Sequence, residues 1–310
     1  VRTTQRAYAD DAGDFARLAR FVTDHDAHLR RHATWCLGRF VDWRYGLWGV
    51  KATTPDFWDR NARIWFDGFG DVAGLAISEE GGPEFTILTT AGYRFLFAEI
   101  LDWALEAWGG REGVRSIELG SLAGPEVASL ERRGFRHASS FTSFTFDLDV
   151  EPPPPFPLAE GFTIVDMRQR PDRRAQRILR ANGFQGRSDL TEAEVEEGLR
   201  LDERGRQSPI YHTDTDLCVR APDGRYVAGC EALIDARNAA ADIERVCTHV
   251  DFRRRGFARA VIQACVARLR SMGLRRASIA GYSPAAVALY GSLGADAGHE
   301  RPIFRRAAGT

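Results

Sequence analysis

The sequence predicts an α/β protein made of two tandem domains with one common plan. Three observations carry this. A stiff run, Glu151-Pro-Pro-Pro-Pro-Phe-Pro157, divides the 310 residues nearly in half; proline runs stay extended and cannot enter a sheet interior. The half after it alternates strand-like and helix-like patterns, as α/β layers do. The half before it repeats pieces of the same order. A chain of this length suits two domains of roughly 150 residues each. Residues 1–150 and 158–310 therefore read as the domains, with 151–157 as their linker.

In the second half, Phe162–Met167 reads as a strand, and Pro171–Ala181 and Thr191–Arg204 as helices, the second capped by Asp189 or Thr191. Asp216–Arg220 and Tyr226–Asp235 read as strands joined by the turn signal Pro222-Asp-Gly224. Asp242–Val250 follows as a third strand. Phe257–Met272 has apolar residues at 257, 258, 261, 262, 265, 266 and 269, a helical spacing, and Gly273 suits its end. Ala277–Ala280 reads as a strand. Ser283-Pro284 opens a helix that runs to Leu293 and stops at Gly294. Residues 296–306 make a last strand, placed in the second domain.

The first half echoes this. Val72-Ala-Gly74 recurs as Val227-Ala-Gly229, and Ser116-Ile117 as Ser278-Ile279. Pro125 to Gly134 follows the pattern of Pro284 to Gly294, so the order of matches points to a duplicated domain. Residues 1–60 are extra, with a helix expected over Ala12–Arg31. Trp35, Trp43, Trp48, Trp58 and Trp65 would pack in the core or between domains, or line a cleft.

Composition excludes several classes. With 44% hydrophobic and 27% charged residues the chain is an ordinary globular protein. A net charge of −1 gives no field for nucleic acid or an anionic membrane. Apolar runs fall short of the ~20 residues of a membrane span, and residues 1–10 lack the apolar core of a secretion signal. The five cysteines, Cys36, Cys218, Cys230, Cys247 and Cys265, show no C-x-x-C pair, so no metal and no disulfide framework is expected, and the compartment expected is the cytoplasm. Lys51 is the only lysine among 42 basic residues. Arginine is thus plentiful everywhere, and an arginine run carries no phosphate argument by charge alone.

The chemistry concentrates where the strand ending at Val250 meets the helix opening at Phe257. Between them stands Asp251-Phe-Arg253-Arg254-Arg255-Gly256, and the helix continues Phe257-Ala258-Arg259. A helix N-terminus leaves N–H groups unpaired and favours anions. Gly256 adds close backbone approach and Ala258 keeps the next approach small, while Arg253, Arg254, Arg255 and Arg259 supply side-chain charge. An ordinary strand–turn–helix in an arginine-rich chain also fits these residues.

Arg253, Gly256 and Ala258 match the signature Q/R-x-x-G-x-G/A, and the segment resembles the acyl-CoA pyrophosphate loop of the GNAT N-acetyltransferase superfamily. The resemblance covers 158–310 in order of elements and 60–150 more loosely. It implies two tandem GNAT-like domains, each a mixed sheet whose central strands splay apart. Acetyl-CoA would be the co-substrate, its pantetheine lying in the split against backbone groups of Val246, Cys247 and Thr248, with Ser283 near it. Tyr290 stands where GNAT enzymes place a tyrosine acid beside the CoA sulfur; a half-buried helix aromatic is the other reading. Ser283 is equally well explained as a helix cap. Glu244 is the base candidate, placed by strand alternation on one face with Asp242 and Val246 and opposite Ile243; recognition of a substrate ammonium or a surface ion pair also fits it. Glu231, Asp235 and His249 are weaker candidates, and Cys247 reads as a small buried residue.

In the first half the corresponding loop is Ala91-Gly-Tyr-Arg94-Phe95-Leu-Phe97-Ala98. Phe95 falls on Gly256, Phe97 on Ala258, Arg94 on Arg255 and Leu130 on Tyr290. Bulk replaces small residues and Leu130 has no proton to give. The expectation is one active site per chain, in residues 158–310, acetylating a primary amine of a small molecule or peptide, in a monomer or homodimer. The alternatives are a non-catalytic acyl-CoA-binding module and an acetyltransferase like mycothiol synthase, which has a similar tandem layout.

Overall fold

A computed structural model of the chain describes residues 2–29, 35–46, 51, 53–120 and 124–307. Trp48 lies outside them. Two compact units result. Unit 1 takes the described residues of 1–44, 48–142 and 300–310, and unit 2 those of 45–47 and 143–299. The division expected at 151–157 thus differs from the one observed. The boundary falls at Thr142 and Ser143, and the last residues return to unit 1.

Unit 1 contains β1 (Thr4–Ala7), α1 (Asp14–Leu29), α2 (Leu37–Tyr45), α3 (Phe57–Asn61), β2 (Ala62–Phe66), β3 (Val72–Ile77) and β4 (Glu84–Thr89). A 3-10 turn over Ala91–Leu96 leads into α4 (Phe97–Ala107), then β5 (Arg115–Glu118), α5 (Pro125–Arg132) and the first part of β6 (Arg136–Asp147). Its strand order runs β1-β2-β3-β4-β5, then β12 (His299–Arg306), then β6. β12 pairs antiparallel with β5, Ile303 opposite Glu118 and Arg306 opposite Arg115. This is why the last strand, expected in the second domain, belongs to the first: sequence periodicity fixes a strand's faces, and its partner is a nonlocal choice. α4 covers one face through Phe97, Ile100, Leu101 and Ala104. The extra N-terminal helices cover the other, where Trp35 and Trp43 are core residues. Trp65 is also buried and Trp58 packs at the rim.

Unit 2 holds the rest of β6, then β7 (Thr163–Asp166), α6 (Arg173–Gln185), α7 (Glu192–Arg206), β8 (Tyr211–Arg220), β9 (Tyr226–Asp235), β10 (Ala240–Thr248), α8 (Phe257–Ser271), β11 (Arg276–Gly281) and α9 (Pro284–Gly291). Its order is β6-β11-β10-β9-β8-β7, with β10 and β11 parallel and β7 to β10 antiparallel to their neighbours. α8 and α9 cover one face, α8 through Val261, Ile262, Cys265 and Leu269 and α9 through Tyr290. α6 lies on the other, against Met167, Cys218 and Cys247. Thr191, not Asp189, caps α7, in a reciprocal capping box with Glu194.

The proline run is no free tether. The Phe156 N–H donates to Gln263 Oε1 at 2.8 Å, and Gln263 Nε2 donates to the Pro154 carbonyl at 3.2 Å. Glu151 pairs with Arg270. Gly256, Gln263 and Arg270 are seven residues apart, so the run lies along one stripe of α8.

Candidate acyl-CoA site

Two features of β10 prepare the site. Against β11 it pairs only from Ala240 to Asp242, opposite Arg276 to Ser278. Against β9 it stays paired to Thr248, opposite Ala228. Beyond Asp242, then, β10 and β11 separate while β10 is held from its other side. The second feature is a bulge. Glu244 faces Glu231 but Cys247 faces Gly229, so β10 carries one extra residue here, and Arg245 takes the left-handed conformation, φ 53°.

The bulge corrects the strand alternation expected for Glu244. Ile243 belongs to the cluster under α8, and Val246 packs against that same cluster. Val246 therefore shares a face with Ile243, not with Glu244. Cys247 turns to the α6 side, against Leu179 and Met167. α6 comes close at this point: a Cβ on Gly183 would meet Cys247 Cβ at 2.8 Å and Thr248 N at 3.4 Å.

After β10 the chain makes a 3-10 turn over Val250–Phe252, capped by His249, whose Nδ1 accepts from the Asp251 N–H at 3.3 Å. Arg254 and Gly256 both take positive φ, 63° and 82°, and Gly256 is the N-cap of α8. Here α8 differs from its neighbours. Side chains of Asp172, Thr191 and Ser283 cap α6, α7 and α9. No side chain caps α8, and its first turn has no acidic residue. Its leading N–H groups are left for another acceptor, which suits a phosphate.

The arginines divide by role. Arg253 donates to the Gly183 carbonyl at 2.9 Å. Arg255 sits over the rings of Phe162, Phe252 and Phe257, 5.2–5.3 Å from their centroids. Arg259 bonds the Ser292 hydroxyl at 2.7 Å. Arg254 is exposed on the turn. Phe257 is core and Ala258 half-buried. Gly256 carries a further constraint unseen in the sequence: a Cβ there would overlap the Phe156 ring. The glycine thus serves the φ of the turn and the seat of Phe156 as well as any ligand.

Tyr290 lies in α9 at 6% exposure, edge-on to Phe144. Burial pushes its hydroxyl pKa up, and Glu244, Cys230 and Cys247 act in the same direction. The structure therefore brings Tyr290 within electrostatic reach of Glu244 on the bulged strand and keeps the hydroxyl protonated. Ser283 accepts from the Ala286 N–H at 3.2 Å, the cap geometry. Glu231 is sealed between two arginines, and Asp235 is occupied by Asn238 at 2.7 Å. Burial pushes the Cys247 thiol up to about 12, which makes it inert as a nucleophile near neutral pH. All five cysteines are buried.

A mixed sheet whose strands β10 and β11 separate, with an uncapped helix beyond, agrees with the fold that the loop's resemblance implies. Residues 186–295 match the acetyltransferase (GNAT) family. Over nearly the whole chain the structure is similar to a GCN5-related N-acetyltransferase from Sphaerobacter thermophilus, with TM-score 0.64 and 18% identity, covering 98% of this chain and 95% of that one. A tandem GNAT protein from the clavulanic acid biosynthesis pathway also gives TM-score 0.64, at 14% identity, covering 100% and 99%. A GNAT-family acetyltransferase from Colwellia psychrerythraea gives 0.56 at 12% identity, covering 98% and 99%. No curated protein matches in sequence. The segment that matches the family lies in the C-terminal half, and the fold of the whole chain is that of tandem GNAT structures. No helix among the described residues is long and apolar enough to cross a membrane.

Proposed function

We propose that the chain transfers an acetyl group from acetyl-CoA directly to a primary amine of a small molecule or peptide, at one site in unit 2. The pyrophosphate would bind the N-terminus of α8 around Gly256 and Ala258. The pantetheine arm would lie between β10 and β11 against Val246, Cys247 and Thr248. Glu244 takes a proton from the acceptor ammonium, directly or through water. The free amine nitrogen then forms a bond to the thioester carbon, the carbon–sulfur bond breaks, and Tyr290 gives its proton to the leaving sulfur; the acylated nitrogen sheds its remaining extra proton, which restores the Tyr290 hydroxyl.

The observation that supports this most is that Tyr290 lies within electrostatic reach of Glu244, which follows the last residue of β10 paired with β11 by two. The test is acetyl-CoA turnover against an amine panel, for wild type and Tyr290→Phe. Loss of the acid lowers kcat roughly a hundredfold while the calorimetric Kd for acetyl-CoA stays unchanged. Binding without turnover of any amine would mean a binding module, and no binding at all would mean a scaffold.

A further inference from the structure

Glu231 faces Glu244 across the β9–β10 ladder. Two carboxylates directly opposite on one sheet face repel, yet Glu231 is 3% exposed. The cations that compensate it come from two elements. Arg180 of α6 reaches one carboxylate oxygen at 2.7 Å, and Arg245 Nη1 reaches the other at 3.1 Å. Burial alone would raise this carboxyl, but Arg245 and Arg180 together hold it below its ordinary range.

Arg245 is the extra residue of the bulge. In unbroken alternation, residues 241, 243, 245 and 247 would share the α8 face, which is the apolar core of Ala241 and Ile243. The left-handed turn at Arg245 sends its guanidinium to the α6 face instead. That conformation is unfavourable for a non-glycine residue, so it persists only where something else favours it. The Glu231 carboxylate, itself fixed by Arg180 and inaccessible to water, is that partner.

We propose that Glu231 is a positioning residue: through Arg245 it locks the β10 bulge that turns the backbone of Val246 to Thr248 toward the gap beside β11. The inference rests on that gap being the acyl-CoA site. Glu231 itself does no proton transfer, since both its oxygens are engaged by guanidinium groups. Breaking the lock loosens β10 at the bulge and weakens acyl-CoA binding, with a smaller effect on kcat at saturating acetyl-CoA.

The experiment measures acetyl-CoA Kd by calorimetry and amide hydrogen exchange over residues 240–250. The proteins are wild type, Glu231→Gln, and Glu231→Gln combined with Arg245→Gly or with Arg245→Ala. Glu231→Gln raises Kd about tenfold, in line with loss of a buried ion pair, and speeds exchange at 244–248. Adding Arg245→Gly, which tolerates positive φ, restores most of both. Adding Arg245→Ala, which removes the same cation but not the backbone cost, restores neither. Equal rescue by glycine and alanine means that an unpaired cation, not the bulge, was at fault, and overturns the proposal; so does wild-type Kd and exchange in Glu231→Gln. If Glu231→Gln does not fold, the single variants decide: Arg245→Gly exchanges more slowly than Arg245→Ala at 244–248, and the reverse order overturns the lock. A wild type that binds no acetyl-CoA defeats the functional reading, while the exchange measurements still judge the lock.

Discussion

The same strand–loop–helix occurs twice in this chain, and the two copies differ at the points that matter for an anion. In α4 and its C-cap, Ile100, Leu101, Ala104 and Trp108 are buried, as Val261, Ile262, Cys265 and Leu269 are in α8. That shared register sets Phe95 at the place of Gly256 and Phe97 at that of Ala258. In unit 2 the approach to the helix takes positive φ at Arg254 and Gly256. In unit 1 residues 91–96 coil into a 3-10 turn, and Phe95 stands 59% exposed. α4 carries Glu99 in its first turn, where α8 has no acid. Arg94, in the place of Arg255, is paired with Glu126 at 2.8 Å. Leu130 is fully buried where unit 2 has Tyr290. Both copies keep the sheet-facing stripe; under the proposed function only α8 has the end that meets a ligand. The lesson is that packing and binding are separable demands on one motif, the first carried by the helix's buried face and the second by its N-terminal end.

The most severe way to break the comparison is to exchange bulk. Ala258→Phe should weaken acetyl-CoA binding roughly a hundredfold, about the upper end for forcing a large group into a packed site, with the fold retained by circular dichroism. The reciprocal Phe97→Ala should gain no affinity, because Glu99 and the 3-10 turn remain, and should cost unit 1 roughly 3–5 kcal/mol in denaturant unfolding. Measurable acetyl-CoA binding gained through Phe97→Ala would mean that bulk alone silences unit 1.

A sharper question concerns Gly256, which answers to three demands. Gly256→Ala should weaken acetyl-CoA binding about tenfold, through the cost of positive φ, and lower thermal stability as well. Adding Phe156→Ala removes the ring overlap. The double variant should recover the part of the stability lost to the overlap, but not the affinity. If affinity returns to wild type, the glycine exists for the Phe156 contact and the ligand argument loses its best residue.

The smallest effect separates unit 2 at the level of stability. Arg187, and then Thr191, hold the Glu194 carboxyl down to about 2. A lowered carboxyl contributes stability above its ordinary range, and that contribution is lost as pH falls through its folded value. Thr191→Ala should therefore lower the thermal midpoint by roughly 2–4 °C at pH 7, with the gap to wild type closing toward pH 2. A gap that is constant with pH would show that the capping box contributes through the threonine alone.

Much of this was legible in the chain. Helical spacing and the flanking glycines located α8 to within a residue, because periodicity and caps are local. Ser283-Pro284 announced α9 for the same reason. Gly256 was recognisable as a backbone position, but the Phe156 ring beside it was not, since that contact joins residues a hundred apart. Glu244 was found as a candidate, yet its face relative to Val246 was misread. One left-handed residue inside a strand resets the alternation beyond it, and arginine gives no local sign that it will adopt that conformation. Glu231 looked like a possible base until its two guanidinium partners were in place.

By itself, then, the sequence determined the elements of the C-terminal half and their order, the duplicated plan and the residues that open α8, because each follows from short-range patterns of apolar spacing, capping and turn chemistry. The tertiary structure alone decided that β12 joins β5, that the proline run lies along α8, and that β10 bulges at Arg245. Those are pairings between distant residues, chosen by packing and charge compensation that no local window of sequence contains.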